Sequence, residues 1–506
     1  MQGVADSRIL ISGRERTRRA QAAIEHGIKA FFGGNALIAV IVLALITIFL
    51  FREGFGFFGQ NLANLRVYRQ AGLEYVDIIR TLQSEHEALS RKLSDIRLRQ
   101  VQALQGRQVP AEEINATLAP FDQFAGNFGD AAENLRGLVS DLTEQASALK
   151  EKMSAGDLTT RDAGLRALRN NGANFETLSA NLTTSLYALL ASAPLFPDSA
   201  QQKAFDQWKS AARDYLARLP VASKHLREWS ADAPIPWYRS ISSFLFGREW
   251  VTASFWQDWY GIVPLLVGSV MVASVALLLA VPFGVASAIY VSEVASVHEK
   301  RFIKPYIEFI SAIPSVVLGF FGIAVVGQAI RALSQTQFVK WVPFFPINER
   351  LNIFTAGSLL ALMAVPTIFT LAEDALRNVP RGFKEASYAL GANRLQTIGR
   401  VIVPASLSGI VSAVLLGLGR VIGETMVVLL CAGNRIAIPD FTQGIGVVFQ
   451  PVHTMTGIIA QEMGEVVRGS THYRALFMVG LVLFVITLGI NWLAQRFVAR
   501  FRMNIG

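Results

Sequence analysis

Residues 262–290 read IVPLLVGSVMVASVALLLAVPFGVASAIY, with no charged side chain. The run is longer than the roughly 20 residues that cross a bilayer core as a helix. Hydrocarbon offers the backbone no water, so the chain must satisfy its own N–H and C=O groups, and a helix is forced. Working outward, five more runs read the same way: Leu37–Phe51 inside FFGGNALIAVIVLALITIFLF, and about 308–327, 352–372, 405–432 and 475–494. Their Gly and Ser residues suit close helix packing in lipid. Pro282, Pro314 and Pro366 are expected to kink their helices.

Composition agrees. Of 506 residues, 52% are hydrophobic and 17% charged, against about 25% charge in an ordinary soluble domain. Mean hydropathy is +0.37. Disorder and collagen are excluded by the long apolar runs, and a disulfide scaffold by the single cysteine, Cys431. The net charge of +9 would suit nucleic acid, but the basic residues flank the apolar runs instead, and no nucleic-acid partner is expected.

With six spans both termini share a side. Arg8 to Arg19 before the first run, Lys300, Arg301 and Lys304 after the second, Arg377 to Arg400 after the fourth, and Arg496 to Arg502 at the end outnumber the basic residues of the intervening short loops. That bias puts both termini in the cytoplasm. The layout is a tail (1–33), a first transmembrane helix (34–51), an extracytoplasmic segment (52–257), five further helices (258–495) and a second tail (496–506). The first run is read as a retained anchor, because FREGFGFFGQ and no small-residue cleavage site comes after it.

Within 52–257, Tyr75, Ile79, Leu82, His86, Leu89, Leu93, Ile96, Gln100 and Ala103 have 4-3 spacing, a helical seam with polar breaks at His86 and Gln100. Pro110 and Pro120 are expected to bracket a break. Leu135, Val139, Leu142, Ala146, Leu149 and Met153 repeat the spacing up to Gly156, and Leu178, Leu182 and Leu186 extend a face up to Pro194. A mostly helical, coiled-coil-like bundle is expected, serving as spacer, docking surface or sensor.

Three places could carry chemistry or transport. Between spans four and five, Glu385–Leu390 and Leu395–Val403 read as short helices around a turn at Gly391, with Pro404 opening span five. This fits a partner's groove or a lipid headgroup layer. Inside span five, Arg420 and Glu424 lie four apart, on one face of an unbroken helix. They read as an internal ion pair or as an anion path, with Thr425 and Ser412 adding hydroxyls. Beyond that span, Glu462, Glu465 and His453 read as a short amphipathic or re-entrant helix. No HExxH metal motif is present, and Cys431 reads as a packed residue. There is no Walker A motif, so this chain is not an ATPase. Neither a catalytic site nor a cofactor is expected.

Glu385-Ala386-Ser387, then Gly391, then Val401-Ile402-Val403-Pro404, resembles the coupling signature of ATP-binding-cassette importer permeases, with Ser387 where that pattern has Ala. AIPSVVLGFFG (Ala312–Gly322), VPTIFTLAEDALRNVP (Val365–Pro380), GLGRVIGETMVVLLCAGN (Gly417–Asn434) and HYRALFMVGLVLFVITLGIN (His472–Asn491) resemble the phosphate permease (PstC) family in particular. The likeness covers roughly 240–506 plus the first span; the segment 52–257 is longer than that family's loop. The resemblance implies an all-α membrane protein of type I importer fold working by alternating access, with a coupling loop at 373–404. It implies a second, PstA-like permease, a PstB-like cytoplasmic ATPase dimer and a PstS-like outer phosphate-binding protein as partners, beside membrane lipid and phosphate. It assigns coupling to Glu385, Ala386, Gly391 and Pro404, and phosphate passage to Arg420 and Glu424, beside Thr425. A permease for another oxyanion or small solute stays open, as does a membrane-anchored scaffold or sensor acting through 52–257.

Overall fold

The computed structural model describes residues 3–157, 159–196, 199–339, 341–342, 344–347 and 349–501. Lys340 and Arg502, both part of the charge balance, lie outside them, as do the side chains of Arg8 to Arg19 and Arg500. Among the described residues, regular structure is helical except for one short hairpin. Among the described residues, six helices are long and apolar enough to cross a membrane.

Helix α1 (Gly3–Gln70) does not stop at Phe51, where its apolar run ends. The residues beyond Phe51 still favour helix and bury one face through Phe57, Leu65 and Tyr68. The stop comes at Gly72, with φ +77°, a conformation glycine adopts without strain. The chain forms two compact units. One comprises Gln60–Ile241 and Ala253–Asp258; the other takes the chain up to Gly59, Ser242–Thr252 and everything from Trp259 onward.

The first unit is a helical bundle: α2 (Leu73–Gly106), α3 (Ala111–Asp130), α4 (Glu133–Ser154), α5 (Arg161–Gly172), α6 (Asn174–Ala191) and α7 (Ser199–Glu228), with α8 (Tyr238–Leu245) leading out. The seam of α2 is buried from Tyr75 to Gln100, then drifts to Leu104, because 3.6 residues per turn outruns a seven-residue repeat. Gly156 does end α4's stretch, at φ +88°. Pro120 breaks nothing: it lies inside α3, where Phe121, Phe124 and Phe128 on the same helix are buried and hold it in place. Their rings meet Phe205 and Trp208 of α7 at 5.0–5.8 Å between centroids. His86, one of the polar breaks, stacks on Phe128 at 4.3 Å and meets its carbonyl at 2.8 Å through Nε2. Trp256 is clipped to this bundle, its Nε1 donating to both Asp77 oxygens at 3.0 and 3.1 Å.

The second unit includes α1 up to Gly59. A hairpin of β1 (Trp250–Val251) and β2 (Trp259–Tyr260) precedes α9 (Val263–Ile289), which runs into a π-turn at Tyr290–Val294. Next come α10 (Val297–Ala312), α11 (Ser315–Phe321), a π-turn (Gly322–Val326), α12 (Gly327–Ser334) and α13 (Ile353–Arg377). The chain goes on through α14 (Arg381–Ala389), α15 (Arg394–Thr397), a π-turn (Ile398–Ile402), α16 (Val403–Ile422), α17 (Met426–Cys431), α18 (Met455–Glu462) and α19 (Thr471–Phe501).

Two expected spans are divided differently. Pro314 does not kink a 308–327 span; it ends one helix and opens the next. Ile313 is extended, at ψ 123°, as the residue before a proline tends to be. Span three is therefore Ser315–Ser334, and 297–312 form a separate helix opened by a Ser296–Glu299 capping box. The 405–432 span stops at Ile422. Pro282 and Pro366 stay inside α9 and α13. Pro404 lies in the first turn of α16, as expected, where a missing N–H costs little, and the π-turn before it joins α15 and α16 into one span, Arg394–Ile422.

Glycines let the spans approach. A Cβ on Gly417 would sit 2.8 Å from Ile368, on Gly409 2.4 Å from Ala375, on Gly357 2.6 Å from Val275, and on Gly322 2.3 Å from Leu359. Spans two to five thus pack backbone to side chain, as lipid-embedded helices do. Cys431 is fully buried, with Sγ donating to the Gly319 carbonyl at 3.3 Å.

Candidate functional site: the broken fifth span and the cytoplasmic arm

Span five carries Arg420 on the last turn of α16. The helix ends at Gly423, and α17 starts at Met426. Glu424 therefore sits in the break, not on Arg420's helical face, and the two form no ion pair. The cause is local. The Glu424 carboxylate accepts the Met426 N–H at 3.1 Å, capping α17, while its carbonyl accepts the Thr456 hydroxyl at 2.8 Å. Arg420 instead donates from Nη1 to the Thr367 hydroxyl at 2.8 Å, on span four beside Pro366. Thr425 lies in the break with its hydroxyl toward the Gly423 carbonyl at 3.5 Å. Ser412 is half-buried on α16. Non-helical backbone at membrane depth is tolerated only where it is buried in protein or lines a watery cavity.

The arm from 381 to 397 has the expected shape. Gly391, at φ +81°, turns the chain between α14 and α15. Asn393 and Gln396 form a capping box for α15. Ser387, which stands where the signature has Ala, bonds the Thr397 hydroxyl at 2.9 Å across the turn, both side chains buried. Glu385, Ala386 and Gly391 are exposed, and so are the apolar side chains of Tyr388, Leu390 and Leu395. A tip this apolar and this open is built to be covered.

The sequence reading missed the charges that hold this arm. Lys384 pairs with Glu293, in the π-turn that closes span two, at 2.7 Å. Glu373 on span four is fully buried and pairs with Lys304 of α10 at 3.0 Å and Arg377 at 2.7 Å. The available signal was an acidic residue at the end of each apolar run, where an unpaired charge is costly.

The third cluster divides. Glu462 accepts from Trp250 Nε1 at 3.3 Å and meets His472 Nε2 at 2.7 Å. His453 Nδ1 accepts the Thr454 N–H, so its Nε2 carries the proton toward Gln461 at 3.0 Å. Glu465 is exposed. Among the described residues no group of three His, Cys, Asp or Glu could hold a metal ion.

The family profile described as "Binding-protein-dependent transport system inner membrane component" matches residues 280–503. The chain is 35% identical over 259 residues to the probable ABC transporter permease protein YqgH of Bacillus subtilis, covering 49% of this chain and 78% of that one. It is 32% identical over 272 residues to the phosphate transport system permease protein PstC of Haemophilus influenzae, covering 52% and 84%. Among solved structures, the inward-facing MetNI methionine ABC transporter aligns over 48% of this chain and 94% of that one, at 20% identity and a TM-score of 0.34. The chain belongs to the binding-protein-dependent transport system inner-membrane components: it is a multi-pass permease of an ATP-binding-cassette transporter.

Proposed function

We propose that the solute is phosphate and that Arg420, Glu424 and Thr425 line its path. The observation that carries this reading is the break in span five. It leaves a guanidinium exposed on the single chain, bonded to the Thr367 hydroxyl, with a carboxylate four residues on. Arg presents a planar fork that matches a tetrahedral oxyanion. A carboxylate on the same path repels a fully ionised anion but accepts from one that still carries a proton. Phosphate near neutral pH has such a proton; sulfate has none. The relatives named as phosphate transport permeases support the same choice.

In this reading residues 52–257 lie outside the membrane and the 373–404 loop faces the cytoplasm. Glu385, Ala386 and Gly391 meet a PstB-like ATPase dimer, and Pro404 anchors the loop to span five. A PstA-like permease completes the path, and a PstS-like protein delivers phosphate. Another oxyanion is the rival. Reconstituting the complex in proteoliposomes separates the two: labelled phosphate enters, and excess sulfate does not compete. Arg420→Gln assembles normally and loses uptake about tenfold or more, the effect of ~1.4 kcal/mol at the transition state. Full phosphate uptake by that variant removes Arg420 from the path, and uptake blocked by sulfate moves the chain to the rival class.

A further inference from the structure

Glu293 occupies the π-turn at the cytoplasmic end of span two. Its carboxylate receives Lys384 Nζ at 2.7 and 2.9 Å, and its carbonyl receives the Arg394 guanidinium. Lys384 is on α14, and Arg394 opens α15. One residue therefore holds both halves of the arm, on either side of the Gly391 turn. The Glu293 side chain is 9% exposed, so its charge is largely withdrawn from water and is balanced by Lys384, with the Ser292 hydroxyl donating to the same carboxylate at 3.0 Å. Beneath the charges, Val379, Ile398 and Ile402 from the arm's two ends share an apolar cluster with Ala288 and Val291 of span two and Leu376 of span four. The start of α10 joins the same point, with Lys300 donating to the Ser292 carbonyl at 3.0 Å. A π-turn is a frequent device where a helix must offer groups that a regular ladder would consume.

We propose that Glu293 is the positioning residue that fastens the arm to span two, so that displacement of the arm by the ATPase is delivered to that span as a rigid movement. This rests on the reading that the arm meets the ATPase, and is independent of the solute.

The test uses the complete complex in proteoliposomes, with spin labels at Leu390 on the arm and Leu278 on span two, in a Cys431→Ala background. Both label sites are exposed, at 89% and 75%. In the parent protein the 278–390 separation keeps one distribution with and without ATP. In Glu293→Gln a second population appears, at least about tenfold above its parent share. Glu293→Lys combined with Lys384→Glu restores the single distribution, which a variant that merely misfolds cannot do. Label mobility at Leu390 is read on adding the ATPase. If it does not change, the arm reading fails and takes the proposal with it. If the label is immobilised while Glu293→Gln matches the parent, the arm reading stands and the fastening by Glu293 is overturned. A parent separation that changes with ATP overturns the rigid connection as well.

Discussion

The two units of this chain solve packing in opposite ways. The bundle between α1 and span two buries large rings: Phe121, Phe124, Phe128, Phe205 and Trp208 fill its centre. Ion pairs such as Arg218–Glu85 at 2.7 Å and Arg227–Glu176 at 3.1 Å lie toward its outside. The permease unit does the reverse. It leaves Leu278 and Phe283 exposed, puts glycine at its helix contacts, and buries the carboxylate of Glu373. The solvent accounts for both. In water, burying apolar area is the main driving force, so big rings go inside. Between helices in lipid that force vanishes, and close backbone approach and internal polar ties replace it.

Shrinking a ring in the bundle breaks the contrast most strongly. Phe205→Ala should cost about 3–5 kcal/mol, because a fully buried aromatic in a ring cluster leaves a cavity. Hydrogen exchange in peptides from α3 and α7 of the full protein reads it, and unchanged protection there would mean the ring cluster is not the core. Adding one methyl sharpens the comparison. Gly322→Ala in the permease unit should destabilise by about 1–3 kcal/mol, since its Cβ collides with Leu359 and Cys431. The same change at Gly137, exposed on α4 with open space around it, should stabilise by about 0.5–1 kcal/mol. Thermal aggregation of the purified protein checks the first, and exchange in α4 the second; like signs would refute the distinction.

The smallest effect is one of pH. Burial pushes His86 below its ordinary 6.5, with Arg136 adding to the shift; the Phe128 carbonyl and Glu87 oppose it. The unfolded chain therefore takes up this proton before the folded one does. Stability is fully present above about 6.5 and falls as the pH drops toward the lower folded value, by at most ~1.4 kcal/mol per unit. Urea unfolding monitored by proteolysis within 73–228, at pH 7.5 and 5.5, should show the loss, and His86→Asn should flatten that part of it. An equal slope in both proteins would rule His86 out as the source.

Span number and the α2 seam were legible because apolar run length and 4-3 spacing are local signals. The breaks at Ile313–Pro314 and Gly423–Thr425 were hidden, because hydrophobicity runs on through both. What decides them is a single proline in one case and a carboxylate that caps its own neighbour in the other. The Glu293–Lys384 and Glu373–Lys304 pairs join residues far apart in the chain, which spacing cannot reveal. The shape of the arm around Gly391 was readable from its turn chemistry. The separation of Arg420 from Glu424 was not, because four-residue spacing places two side chains on one face only while the helix between them is unbroken.

The π-turn at Ile398–Ile402 also sets an angular phase. One surplus residue there turns everything downstream by about 100° relative to an ordinary α-helix. Arg420 looks toward Thr367, and Gly409 and Gly417 toward span four, only because that extra step has been counted in. Deleting one residue, such as Gly399, would leave every side chain downstream chemically intact and aim each of them at the wrong neighbour.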